Sequence, residues 1–265
     1  MARISREHGG GSSWKMYAET AGAGTQIRSS PSGTIEQLKL TRNKVDYCWY
    51  VTNVSSAQLR STSGSAPLLT FIGNGIASAF LDGHFAGAAS APAGFNASEG
   101  NLTVSIELNG AITSSPRAID GTNLLSKEQH TELQILVAGM AMPNGYRGRP
   151  GGKGVLDQVN LGAHDLTSQP WEMRWMMSGE AAGVYTEAGS NTVPWKPCPT
   201  QAASAITWYQ TTMALPALLA NNGSTSAAYA LNLESMWKGQ AWVNGFHLGR
   251  YWLRPGGCPN ENDKC

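Results

Sequence analysis

Two short stretches constrain this chain more than anything else in it. Ala79-Phe80-Leu81-Asp82-Gly83-His84-Phe85-Ala86-Gly87 sets Asp-Gly between two apolar arms. Ala241-Trp242-Val243-Asn244-Gly245-Phe246-His247-Leu248-Gly249 does the same with Asn-Gly. Both dipeptides accept the positive φ angles of a two-residue type I′ turn, whose twist matches that of paired strands. Each stretch therefore reads as a β-hairpin, cornered by Asp82 and Gly83 or by Asn244 and Gly245. Each also follows a Trp-Tyr strand, Trp49-Tyr50-Val51-Thr52 in one case and Trp208-Tyr209-Gln210-Thr211 in the other. The pair recurs at an offset of about 160 residues, the period of a domain rather than of a solenoid. The simplest architecture is all-β, with two similar sandwiches in tandem. The expected divisions are a lead-in over 1–30, a first sandwich over 31–164 and a second over 165–265.

Composition agrees. The chain's 265 residues can bury two ordinary cores, and 41% hydrophobic residues is too many for a disordered chain. Only 14% are charged, while there are 31 glycines and 9 tryptophans, which suits tight turns and strands better than long surface helices. Asp46–Thr52 and Leu68–Ile72 have the aromatic and β-branched character of strands. Leu102, Val104, Ile106 and Leu108 alternate with polar residues, as in a half-buried strand. Only Leu124–Glu132 hints at a helical turn, and it reads equally as a loop insertion.

Several function classes are disfavoured. Net charge is +1, without a Lys/Arg stripe, so nucleic acid is not an expected partner. The apolar run Ile135–Met142 is too short to cross a bilayer, and the N-terminus as written lacks an apolar signal-peptide core. No G-x-S-x-G motif is present. Gly148–Gly154 lacks the Ser or Thr that follows a phosphate-loop lysine and reads as a surface loop. Neither His8, His84, His130, His164 and His247 nor Cys48, Cys198, Cys258 and Cys265 have metal-ligand spacing, so no metal or other cofactor is expected. Glu107, Glu132, Glu172, Glu180, Glu187 and Glu234 are scattered, and spacing cannot pair two of them across a sugar. Asn-x-Ser/Thr sequons begin at Asn53, Asn96, Asn101 and Asn222.

The segment Leu233–Trp252, which contains the second hairpin, closely resembles the S-M-x-K-G-x-x-W-V-N-G-x-x-x-G-R-Y-W stretch of plant-type β-galactosidases of glycoside hydrolase family 35. Asp46–Thr52, Val137–Gly145, Asp165–Glu180 and Ile206–Thr212 resemble further segments of that family in the same order. Trp237, at a usual glycine, and a long insertion around Ala111–Gln129 depart from it. The resemblance implies two jelly-roll, galactose-binding-like units that follow a catalytic barrel, with no catalytic residue in this chain. It implies that the barrel would lie upstream of Met1 and that the second unit is incomplete at Cys265, within a cysteine-rich loop, as in a fragment. It also implies a secreted, lysosomal or cell-wall location.

The expected function is therefore a non-catalytic region that buttresses the barrel of a β-galactosidase-like hydrolase and binds galactosides. Sugar binding by a sandwich needs an exposed ring with hydrogen-bonding groups at its edge. Trp237, His247, Arg250 and Tyr251 cluster around the second hairpin and are the candidates, whereas Trp242 and Trp252 read as core. The alternative is a structural or protein-interaction module, or a stand-alone lectin-like protein.

Overall fold

A computed structural model describes residues 14–59, 66–90, 103–109, 130–139, 152–198, 206–212, 231–233, 236 and 238–252. The first part of the chain gives β1 (Lys15–Ala18), β2 (Gln26–Ser30), α1 (Gln37–Thr41), β3 (Tyr47–Ser55) and α2 (Ser56–Leu59). Then come β4 (Leu68–Asn74), β5 (Ile76–Leu81), β6 (His84–Ser90), β7 (Thr103–Glu107), β8 (His130–Ala138) and β9 (Gly154–Leu161). The remainder contributes β10 (His164–Asp165), β11 (Trp171–Trp175), α3 (Ser178–Ala182), α4 (Glu187–Ser190), β12 (Lys196–Pro197), β13 (Thr207–Gln210), β14 (Lys238–Val243) and β15 (Phe246–Trp252). The fold is all-β, in antiparallel sheets, and divides into two compact units: residues 20–181, and residues 1–19 with 182–265.

The unit of residues 20–181 is a sandwich. One sheet runs β2-β11-β3-β8-β5-β6 and the other β10-β9-β4-β7. The long strands β3 and β8 pair residue for residue from Tyr47↔Ala138 to Ser55↔His130. Tyr50, Leu133 and Ile135 from the first sheet meet Leu69, Phe71, Ile106 and Leu161 from the second in one buried cluster. In β7 the expected alternation holds: Val104 and Ile106 point inward while Thr103, Ser105 and Glu107 are exposed. Trp171 closes the core, its indole N–H donating to the Leu166 carbonyl at 3.0 Å, so this large buried ring leaves no orphaned donor. Trp49 and Phe80 are buried outside that cluster, with ring centroids 5.3 Å apart at 67°.

Three expectations need correction. The unit extends beyond 31–164, because β2 and β11 pair with each other and β11 pairs with β3. The edge strand β2 is almost wholly exposed, so its sequence shows no apolar alternation to announce it. The presumed lead-in also supplies β1, which pairs with β13 and β12 in the other unit. Of the expected helical turn Leu124–Glu132, residues 124–129 lie outside the described residues, and His130–Glu132 opens β8.

The other unit contains the sheet β12-β1-β13, the hairpin β14-β15 and the short helix α4. Thr186 caps α4, its hydroxyl accepting from the Gly189 amide at 3.1 Å. Trp195 fixes the following turn by donating to the Ser190 carbonyl at 2.7 Å.

Candidate functional site

The second hairpin forms as its sequence demands. Asn244 and Gly245 have φ of 50° and 83°, close to the 47° and 80° of Asp82 and Gly83. The likeness continues past the turn. Phe80 pairs with Phe85 and Ala79 with Gly87, leaving Ala86 as the extra residue of a bulge. Trp242 pairs with His247 and Ala241 with Gly249, leaving Leu248 extra at the same place.

Pairing register assigns faces to this hairpin. Gln240 opposes Arg250 and Trp242 opposes His247, so these four side chains share one face. On it, Trp242 is the centre of a ring cluster. Tyr185 stacks on it with centroids 5.2 Å apart at 11°, Trp208 lies at 5.4 Å and His247 at 5.0 Å. Trp208 in turn donates its indole N–H to the Glu19 carboxylate at 2.6 Å. The Trp242 ring is thus half-buried among aromatic neighbours, while His247 and Arg250 at its edge are exposed.

Tyr251 belongs to the opposite face. It pairs with Gly239, and a Cβ there would lie 2.5 Å from the Tyr251 hydroxyl, so the phenol lies across the glycine. Burial, with Tyr209 adding, raises the Tyr251 pKa above the usual phenol value. The hairpin therefore brings His247 and Arg250 together and turns Tyr251 away, while Trp237 lies outside the described residues. Tyr185, Trp208, Glu19 and Gln240 complete the cluster. Sequence spacing offered no signal for Tyr185, which reaches Trp242 from a distant segment, or for Glu19, which reaches Trp208.

Other chemistry-bearing groups serve the scaffold. Glu132 and Glu172 both engage Arg174, the former at 3.6 Å. Glu180 accepts from the Met177 amide at 3.1 Å. Lys153, expected in a surface loop, is buried and donates to the Asn43 side chain at 2.5 Å, because its amide is also held by the Glu36 carboxylate at 2.7 Å. Cys48 is buried, and burial pushes its thiol pKa up to about 12, opposed by a hydrogen bond with Tyr50 and reinforced more weakly by the Glu36 charge. The Cys48 thiol is free and buried, while Cys198 is half-buried. Cys258 and Cys265 lie outside the described residues, as do Glu234 and His8. Among the described residues, no group of three His, Cys, Asp or Glu could hold a metal ion, and no helix is long and apolar enough to cross a membrane.

A family model of known proteins covers the same hairpin. Residues 206–260 match the family model of the galactose-binding domain of β-galactosidase. The chain is 30% identical over 227 residues to probable β-galactosidase 2 of Dictyostelium discoideum, covering 83% of this chain and 26% of that protein. It is 28% identical over 265 residues to β-galactosidase 8 of Arabidopsis thaliana, covering 96% of this chain and 28% of that protein. The chain thus spans about a quarter of the length of the curated relatives it matches. Over most of its length this chain is similar to the C-terminal region of β-galactosidases, the part that carries their galactose-binding domain.

Proposed function

We propose that this chain is a non-catalytic, galactoside-binding region of a β-galactosidase of glycoside hydrolase family 35, which also supports the catalytic barrel. One observation carries the reading. The exposed His247 and Arg250 flank the aromatic cluster on Trp242, inside the segment that matches a galactose-binding domain. A pyranose offers an apolar C–H face to a ring and hydroxyls to the groups at its edge. His247 supplies the ring, and Arg250 and Gln240 supply fixed donors on the same hairpin face. Secreted, lysosomal or cell-wall residence fits this role, and Asn53, a sequon asparagine, is exposed.

Methyl β-D-galactopyranoside titrated into the purified chain should change tryptophan fluorescence saturably through Trp242. Arg250→Ala should weaken that response at least tenfold, while the chain leaves a chromogenic galactoside uncleaved. A response that is unchanged in Arg250→Ala would sink the assignment.

A second reading rests on the hairpin tip, where Val243, Phe246 and Leu248 are exposed large hydrophobics. Such a patch suits contact with a partner protein domain rather than a sugar. If Phe246→Ser abolishes association with a separately produced barrel while galactoside titration shows nothing, the interaction role stands instead.

A further inference from the structure

The unit of residues 20–181 has an open surface groove of about 600 Å³ where its two sheets meet at their edges. It lies along β6, the last strand of the six-stranded sheet, and β7, the last strand of the four-stranded sheet. The Asn109 amide donates to the Ala86 carbonyl at 2.9 Å and ties those edges together. Gly87 permits the closeness: a Cβ there would collide with the Glu107 carbonyl oxygen.

The lining mixes apolar residues, Leu68, Phe85 and the alanines of β6, with polar residues from β7 and its end, Ser105, Glu107 and Asn109. Phe85 is 55% exposed, yet its ring is held edge-on to Phe80, with centroids 5.6 Å apart at 76°. Phe80 is itself packed on Trp49, so the exposed ring is anchored from behind. Glu107 and Asn109 are mutually placed, the Asn109 side-chain amide lying 3.4 Å from the Glu107 carboxylate. An exposed ring, a carboxylate acceptor, an amide that both donates and accepts, and a hydroxyl are the groups that recognise a neutral pyranose. A purely apolar ligand would leave the polar wall unpaired, and an anion would meet Glu107.

The two hairpins correspond at this ring as well. Phe85 occupies in its hairpin the position that His247 occupies in the other. Each is cross-strand partner to a large ring, Phe80 or Trp242, and each precedes the bulged residue. We propose that the open groove along Phe85, Ser105, Glu107 and Asn109 is a second saccharide site, taking a neutral pyranoside. The proposal borrows from the galactoside reading only its choice of probe.

Titration of the full chain with methyl β-D-galactopyranoside, followed by ligand-observed NMR, tests it against His247→Ala, Phe85→Ala and the double variant. Binding should survive His247→Ala, and the double variant should lose at least tenfold in the remaining affinity. Asn109→Ala in the His247→Ala background should weaken it severalfold, and Cys48 should stay inaccessible to alkylation, showing an intact fold. If His247→Ala alone removes all binding, the second site is overturned while the hairpin site stands. If the sugar still binds the double variant undiminished, the Phe85 site is likewise overturned. If the wild-type chain binds no sugar, both sites fall.

Discussion

The two hairpins share a turn, a bulge and a cross-strand ring pair, yet their surroundings differ. In the first, Ala79, Phe80, Leu81 and Ala86 are all buried, because β5 also pairs with β8 inside a six-stranded sheet. In the second, Val243, Phe246 and Leu248 are exposed, and among the described residues β14 pairs with β15 alone. The repeated sequence fixes backbone geometry, which turn residues and strand pairing specify locally. Whether the apolar arms become core is decided by neighbours far away in the chain. One hairpin has been built into a scaffold, while the other displays side chains.

The largest expected contrast comes from the central ring of each. Phe80→Ala deletes a buried ring between Trp49 and Phe85 and should cost about 3–5 kcal/mol. Trp242→Ala removes a larger ring, but one only half-buried, and should cost roughly half as much. Alkylation of Cys48, which is buried in the core cluster of that unit, reports the first loss under denaturant. Peptide-resolved hydrogen exchange over β15 reports the second. Equal costs would mean that Trp242 is as deeply structural as Phe80, leaving no display face.

Alkali should separate the units next. Burial holds the Cys48 thiol at about 12, whereas in an unfolded chain a thiol ionises near ~8.5. Above that pH the unfolded state releases a proton that the folded state keeps, so stability is present below ~8.5 and falls as pH rises toward 12. The slope from one such group is about 1.4 kcal/mol per pH unit. Tyr50, raised well above the phenol range chiefly by burial, adds to the loss at higher pH. Cys198, Tyr209 and Tyr251 shift in the same direction, but all three stay partly exposed. Guanidinium midpoints at pH 8 and 10.5 should therefore converge in Cys48→Ala and stay apart in Tyr251→Phe. The reverse pattern would place the alkaline weakness in the second unit.

Much of this was legible in the residues. Both turns, the strands at Tyr47 and Leu68, and the alternation through Val104 and Ile106 follow from short-range chemistry that a sequence displays directly. The limits of the units were not, because β2 is an exposed edge and β1 pairs with a strand from the far end of the chain. Lys153 looked like a surface residue since its glycine-rich surroundings conceal the carboxylate of Glu36 that captures its backbone. At the site, His247 and Arg250 were legible as hairpin neighbours. The split from Tyr251 depends on strand alternation around a bulge, and Tyr185 arrives through tertiary packing alone.

The smallest contrast lies at the turn corners. Asp82 and Asn244 both sit at positive φ, so alanine at either should cost about 1 kcal/mol from backbone strain. Asp82 is also a tether. Its carboxylate accepts from the Glu132 amide at 2.8 Å, while Gly83 donates to the Gln134 side chain at 3.0 Å. These bonds fasten the first turn to β8. Losing the exposed carboxylate bond should add roughly 0.5–1 kcal/mol, so Asp82→Ala should be the costlier change. Asp82→Asn keeps both the tolerated φ and an acceptor, and should restore most of the difference in guanidinium unfolding. If Asp82→Asn is as damaging as Asp82→Ala, the carboxylate charge rather than the tether matters. If Asn244→Ala matches Asp82→Ala, the second turn is fastened as firmly as the first, and the contrast between hairpins is confined to their side chains.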